Sequence, residues 1–437
     1  MEYANHVSEI INAFSPAPLT MGQMDKFYCK NTMEYRTSDR FYSPIEDIFD
    51  SCRDPEERNA FLLLGHRGCG KSTELNRMSQ RLISQGYPVK TVACGVDLDL
   101  FNIVYSDLFI LMGEALVGIA EELGCKLKKD ILDDIMSFWA EGTETAVSKE
   151  AAEIDLEAGM SVENGGIFKG LLKIFAKIKT DLKFNEEIRK EYRRKISVRS
   201  SEWIKILGCV SEEITGKTGG KRPVIIFEDL DKLNPEDAWK VFYNYAAILS
   251  GMAFPVIYTF PIGLSYDARF SAMESYFVTK SLPMIKIDTI EGEPYQEGRE
   301  VIKEIVTKRA SLKLFERDAL ERLIQYTGGS LRDLFHAINA AAKRAQRRDS
   351  ESVSMEDAER ALEELKTSLT RRIEEKDYSF LKNIYNGNKE RIEDKGMLLK
   401  MLQASVVLEY NGKRWHNVHP LVVDFFVEQG LIEHDGK

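Results

Sequence analysis

Between an apolar run, Phe61–Leu64, and a helical pattern opening at Glu74-Leu75, the chain reads Gly65-His66-Arg67-Gly68-Cys69-Gly70-Lys71-Ser72-Thr73. This is the G-x-x-x-x-G-K-S pattern in the strand-then-helix setting that gives it meaning. Its glycines allow a sharp turn whose successive N–H groups point inward, and the helix N-terminus that follows adds partial positive charge. The segment is therefore expected to hold the phosphates of a nucleoside triphosphate, ATP by preference. Lys71 would bridge the β- and γ-phosphates and the Ser72 hydroxyl would ligate Mg²⁺.

Such a loop requires a parallel sheet behind it, and the sequence supplies candidate strands. Apolar runs at Phe61–Leu64, Val89–Val92, Val224–Phe227, Val256–Phe260 and Met284–Ile287 alternate with helical patterns, as in a parallel α/β sheet with helices on both faces. The third run ends in Glu228-Asp229, two carboxylates at a strand terminus that can divide the labour of holding hydrated Mg²⁺ and orienting an attacking water. The sequence leaves open which of the two meets the metal-bound water. Asp231 reads either as an accessory acid or as the cap of the following turn.

The predicted organisation has four parts: an N-terminal extension over 1–40, a phosphate-loop domain over 41–290, a helical lid over 291–366 and a winged-helix-like unit over 367–437. About 150 residues separate the loop from the third strand, more than one strand and two helices need under ordinary loop lengths, which implies an insertion at about 125–200. It is acidic over Glu141–Glu163 and then basic, with Lys169, Lys173, Lys177, Lys179, Lys183, Arg189, Lys190, Arg193, Arg194 and Lys195. It reads as a solvated helical hairpin or as an arm for acidic partners. In the tail, Asn411-Gly412 between Ser405–Tyr410 and Lys413–Val418 signals a hairpin, because both central residues of a type I′ turn need positive φ.

Composition narrows the partners. A net charge of −10 repels nucleic acid and acidic membranes at long range. No uncharged apolar run of membrane-spanning length occurs, the start lacks a leader pattern, and the six cysteines form no C-x-x-C pair. A soluble, reduced, cytoplasmic protein without a membrane span is the expectation. His416 and His419 lie three apart without a third ligand, a poor metal site. His66 reads as a residue that shapes the loop, and Cys69 as a structural thiol.

With these residues in order, the chain resembles the AAA+ P-loop ATPases, particularly the replication-initiator-like branch with a C-terminal winged helix, over roughly residues 40 to 430. The matches are Gly65–Thr73, Glu228-Asp229, the strand Val256-Ile257-Tyr258-Thr259, and Gly328-Gly329-Ser330-Leu331-Arg332-Asp333. The resemblance implies that Thr259 senses the γ-phosphate and that Arg332 reaches from the lid to the nucleotide. It also implies hydrolysis at subunit interfaces in a homo-oligomer, with Arg269 placed about where the neighbour's arginine finger would come from. The acidic pair departs from the family in opening with Glu228. The related STAND ATPases carry a G-x-P signature that is missing near Gly328.

The expected function is an ATP-hydrolysing switch that couples nucleotide state to oligomer assembly or to engagement of a partner protein supplying another activity. The alternatives are an initiator-like DNA-binding ATPase, using Lys413, Arg414 and the basic insertion, and a slowly hydrolysing nucleotide-gated scaffold. DNA is the less favoured partner, because the helix before the hairpin, Gly396–Gln403, is nearly all apolar where a recognition helix needs polar side chains directed at base edges.

Overall fold

The computed structural model describes residues 1–30, 32–37, 42–140, 164–410 and 414–433. Five parallel strands, β1 (Ala60–Gly65), β2 (Val89–Ala93), β3 (Val224–Glu228), β4 (Val256–Pro261) and β5 (Val278–Ser281), lie in the order β2-β3-β4-β1-β5. Strands β1 and β4 are buried at every position, which is why they read as continuous apolar runs. The C-terminal ends of β1, β3 and β4 stand side by side, so the phosphate loop and the acidic pair leave the sheet together.

Four of the five expected strands are present. The fifth is corrected: the edge strand is Val278–Ser281, and Met284–Ile287 lies beyond it. An edge strand is half-buried and carries polar residues such as Thr279 and Lys280, so its apolar signal is weak. Met284–Ile287 is apolar because other elements cover it, with Met284 bridging to Tyr410 of the C-terminal hairpin.

The insertion is corrected as well. The helix Asn164–Phe184 buries Leu171, Ile174, Phe175 and Ile178 against the helix Tyr105–Glu122, within the core on one sheet face. Trp203 approaches so closely that a Cβ on Gly113 would lie 2.5 Å from its ring. Several basic residues are tied inward: Arg193 meets the buried Asp107 at 2.6 Å, and Lys179 spans Glu114 at 2.8 Å and Asp97 at 3.3 Å. The described part thus packs an apolar face into the core, with Lys173, Lys183, Lys190 and Arg194 left exposed. The acidic run Glu141–Glu163 lies outside the described residues, as does the Lys169 side chain.

Beyond the sheet, the helices Gln296–Thr307, Arg317–Tyr326, Leu331–Arg347 and Met355–Thr370 follow over the stretch expected as the lid. Their core is shared at both ends of the chain. Ala4, Ile10 and Phe14 enter it from the N-terminus, and Leu398, Met401, Val407 and Phe426 from the C-terminus. The helices Tyr378–Tyr385 and Lys395–Gln403, the antiparallel strands β6 (Val407–Tyr410) and β7 (Trp415–Val418), and the helix Pro420–Glu428 follow in an order compatible with a winged helix. Asn411, Gly412 and Lys413 lie outside the described residues. The apolar helix Lys395–Gln403 docks on the turn after β4, where a Cβ on Gly263 would meet the Leu399 carbonyl at 2.9 Å. No helix among the described residues is long and apolar enough to cross a membrane.

Candidate functional site

The loop after β1 turns through Gly68 (φ 85°) and Gly70 (φ 105°), values that a side chain would strain, and delivers Lys71 to the first turn of the helix Lys71–Ser84. Lys71 is 6% exposed. Its Nζ donates to the carbonyls of Gly65 at 2.7 Å and His66 at 2.9 Å and meets Asp231 Oδ2 at 2.9 Å. Burial works against the ammonium, but Asp231 outweighs it and Lys71 is held above its ordinary range. For Asp231, burial is likewise overcome by Lys71 and Arg67, and its carboxyl is held below the usual range. Asp231 is therefore the counter-ion of the loop lysine.

Glu228 ends β3 near Ser72, and its Oε1 is buried with no hydrogen-bond partner. Burial, with Asp229 and Asp231 nearby, pushes its carboxyl up. Asp229 takes a left-handed conformation (φ 71°), uncommon outside glycine, that turns its carboxylate toward Gly95 and Lys232. Gly95 leaves room for it: a Cβ there would lie 2.6 Å from Asp229 Oδ2.

Lining one cavity of about 520 Å³ are Lys71, Ser72, Glu228, Asp229, Asp231 and Arg332. Gly65, His66, Arg67 and Cys69 do not line it. The buried Thr259 hydroxyl is engaged within the sheet: it accepts from Leu230 N at 3.1 Å and donates to the Phe227 carbonyl at 3.3 Å, so it clips the acidic turn to β4 and does not face the cavity. Arg332 lies in the first turn of the helix Leu331–Arg347 and lines the cavity. Ser330 caps the helix Leu331–Arg347 by accepting from Asp333 N, and the Arg332 stem packs on Gly68, leaving 2.4 Å to a Cβ built there. Arg269 lies outside the cavity, gripped by Asp267 at 3.0 and 2.7 Å and stacked on Trp239 at 4.5 Å.

Two contributions carried no sequence signal. The N-terminal segment walls the cavity through Pro16–Leu19, Phe27 and Tyr28. It is fastened by Leu19 N to Thr73 Oγ1 (3.2 Å), Asn76 Nδ2 to the Leu19 carbonyl (2.9 Å) and the Tyr28 hydroxyl to Glu74 (3.0 Å). Arg36 of the same segment donates to the carbonyls of Cys69 (2.7 Å) and Pro283 (2.5 Å), tying the loop to the chain beyond β5. The second contribution is His66, whose Nε2 accepts the backbone N–H of Glu409 in β6 at 2.8 Å. The Tyr266 hydroxyl in turn bridges Glu409 Oε2 (2.6 Å) and His416 Nε2 (2.8 Å). The C-terminal unit also reaches the lid: the Tyr410 hydroxyl donates to the Gly328 carbonyl at 2.7 Å, and His419 lies 3.8 Å from Asp333, beside Arg332. The back of the phosphate loop and the start of the lid helix thus rest on one hairpin unit.

Sheet order, loop and acidic strand end together make a parallel phosphate-loop α/β fold of the kind the AAA+ resemblance implies. No protein-family model matches the sequence and no curated protein is similar to it. Among solved structures, the Walker-type ATPase of Pyrococcus abyssi is similar at 15% identity and TM-score 0.47, over 94% of this chain and 99% of that one. The Aeropyrum pernix ORC1 protein in complex with DNA is similar at 13% and 0.37, over 89% and 93%. The Thermotoga maritima RuvB Holliday junction branch migration motor gives 11% and 0.34, over 92% and 99%. At these values the likeness carries no residue roles; those come from this chain's own geometry.

The His66 contact has a pH consequence. Accepting at Nε2 requires a neutral ring, and burial pushes its pKa down to about 4. A base whose folded pKa is below its unfolded value of about 6.5 contributes full stability above about pH 6.5 and loses it as pH falls toward 4, by about 3 kcal/mol in all. His66→Gln keeps an acceptor and does not titrate. Denaturant titrations over pH 7 to 4 are expected to find that the wild type loses more stability than His66→Gln. Carboxylates such as Asp231 and Glu409 weaken equally in both proteins, so parallel curves would contradict the assignment.

Proposed function

We propose that the chain is a Mg²⁺-dependent ATP-hydrolysing switch whose nucleotide state is passed to its C-terminal unit, and through it to oligomer assembly or a partner protein. The observation that supports this most is the double seating of the hairpin unit, on the loop through His66 and on the lid through Gly328 and Asp333. Movement of lid against loop cannot leave such a unit undisturbed.

The residues present fit the triphosphate and its metal. Lys71 has a buried acid to leave and phosphates to meet, and the Glu228 orphan oxygen beside Ser72 suits a hydrated cation. In this reading Ser72 and Glu228 hold Mg²⁺, which when bound neutralises phosphate charge. Asp229 orients the attacking water. Thr259 is a positioning residue that fixes the acidic turn. Arg269, outside its own cavity, would have to leave Asp267 and Trp239 to serve a neighbouring copy. The packed helix Lys395–Gln403 supports a protein-directed use of the C-terminal unit over a DNA-reading one.

Arg332 tests the switch. It packs on Gly68 from the lid, so charge-assisted bonds from its guanidinium to a γ-phosphate would form only with the lid closed on triphosphate. Arg332→Ala is expected to lower the preference for ATP over ADP by roughly tenfold or more while leaving ADP affinity and the unliganded melting curve nearly unchanged. Paired calorimetric titrations decide it. An unchanged ATP-to-ADP ratio would remove the lid from the mechanism.

A further inference from the structure

We propose that Arg309, just beyond the helix Gln296–Thr307, donates to an acceptor atom on the edge of the nucleobase. The inference rests on the nucleotide reading above and deepens it. Arg309 is 5% exposed and lines the cavity, yet no carboxylate pairs with it among the described residues. Both of its hydrogen bonds leave from Nη1, to the carbonyls of Ile305 (2.9 Å) and Phe27 (3.5 Å), while Nε is buried without an acceptor. A buried guanidinium with neither counter-ion nor full hydrogen bonding is costly, and the face of Phe335, 4.9 Å away, offsets only part of that. Burial accordingly lowers its pKa to about 10.

Its place in the cavity decides what it can bind. Among the described residues, its hydrogen bonds and ring contact are to Phe27, Ile305 and Phe335, and none is to the phosphate loop. Its neighbours are Phe27, Cys29, Ile305 and Phe335, apolar walls from the N-terminal segment and the lid that suit a stacked base. A guanidinium has donors and no acceptor, so in this setting it selects a ring nitrogen or carbonyl oxygen and rejects an amino group at the same point.

Calorimetric titration of the full chain in Mg²⁺ with ATP and with inorganic tripolyphosphate separates base from phosphate. Arg309→Lys keeps the cation and most of the stem, and Arg309→Met keeps the stem alone. Both are expected to weaken ATP roughly ten- to hundredfold while tripolyphosphate affinity stays at the wild-type value. In the wild type, one of 1-deaza-, 3-deaza- and 7-deaza-ATP is expected to show the same loss, with no further loss in Arg309→Lys. Equal weakening of both ligands in Arg309→Lys would place Arg309 in folding or phosphate binding and overturn the proposal. Unchanged ATP affinity, or three equally tight deaza analogues, would overturn it too. A wild type that binds neither ATP nor tripolyphosphate would refute the nucleotide reading itself, a result distinct from the others.

Discussion

Lys71→Ala is expected to abolish measurable ATP binding and to destabilise the unliganded chain at the same time. The two losses have different origins. The first comes from removing the ammonium that meets the β- and γ-phosphates, worth about 10² or more in affinity for a charge-assisted contact in a water-poor site. The second comes from Asp231, which is left buried without its partner at 2.9 Å. Breaking a buried pair on one side costs about 3–5 kcal/mol. Lys71→Ala combined with Asp231→Ala is therefore expected to recover most of the stability and none of the binding. Nucleotide titration together with denaturant melts checks both halves. Retained ATP affinity in the single variant would remove the site from the account. Equal stability of single and double variants would remove the ion pair.

Glu228→Gln and Asp229→Asn are expected to part company. Glu228 is buried beside Ser72 with an orphan oxygen and a carboxyl pushed up by burial, so its charge disfavours the unliganded fold above about pH 4.3. Glutamine removes that charge, and the unliganded melting temperature is expected to hold or rise while the Mg²⁺-dependent part of ATP affinity falls. Asp229 stands apart on its left-handed residue, paired with Lys232 at 2.5 Å. Asp229→Asn is expected to keep ATP affinity and slow phosphate release by about 10²-fold or more. Binding titrations with and without Mg²⁺, and a phosphate-release assay, test the division. Exchanged phenotypes would reverse the two roles.

The parts legible in the sequence are those written locally. The loop, the acidic strand end and the Ser330 cap before Arg332 each depend on residues within one turn of one another, and each is where the pattern placed it. Edge strand β5 was hidden because half-buried strands carry polar residues, while an equally apolar stretch nearby is covered by other elements. Thr259 was correctly placed on β4, but pattern gives position and not the direction of a hydroxyl. The cavity wall made by Pro16–Leu19 and the seating of His66 on Glu409 join residues 54 and 343 positions apart. Such contacts arise from how the units pack, and no local period encodes them. The basic insertion misled for a related reason: its lysines and arginines share helices with an apolar face, and the acids that pair with Arg193 and Lys179 lie on other helices.

The central claim, that the phosphate loop and the C-terminal unit move as one coupled system, is tested most directly by amide hydrogen exchange at Glu409, whose N–H is held by His66. Exchange across β6 is to be followed in the unliganded chain, with a slowly hydrolysed ATP analogue, and with ADP, each in wild type and Lys71→Ala. The account predicts that the analogue changes protection of the Glu409 amide in the wild type, that ADP changes it less, and that Lys71→Ala responds to neither. Identical exchange in all three wild-type states, with nucleotide binding saturated, would contradict it.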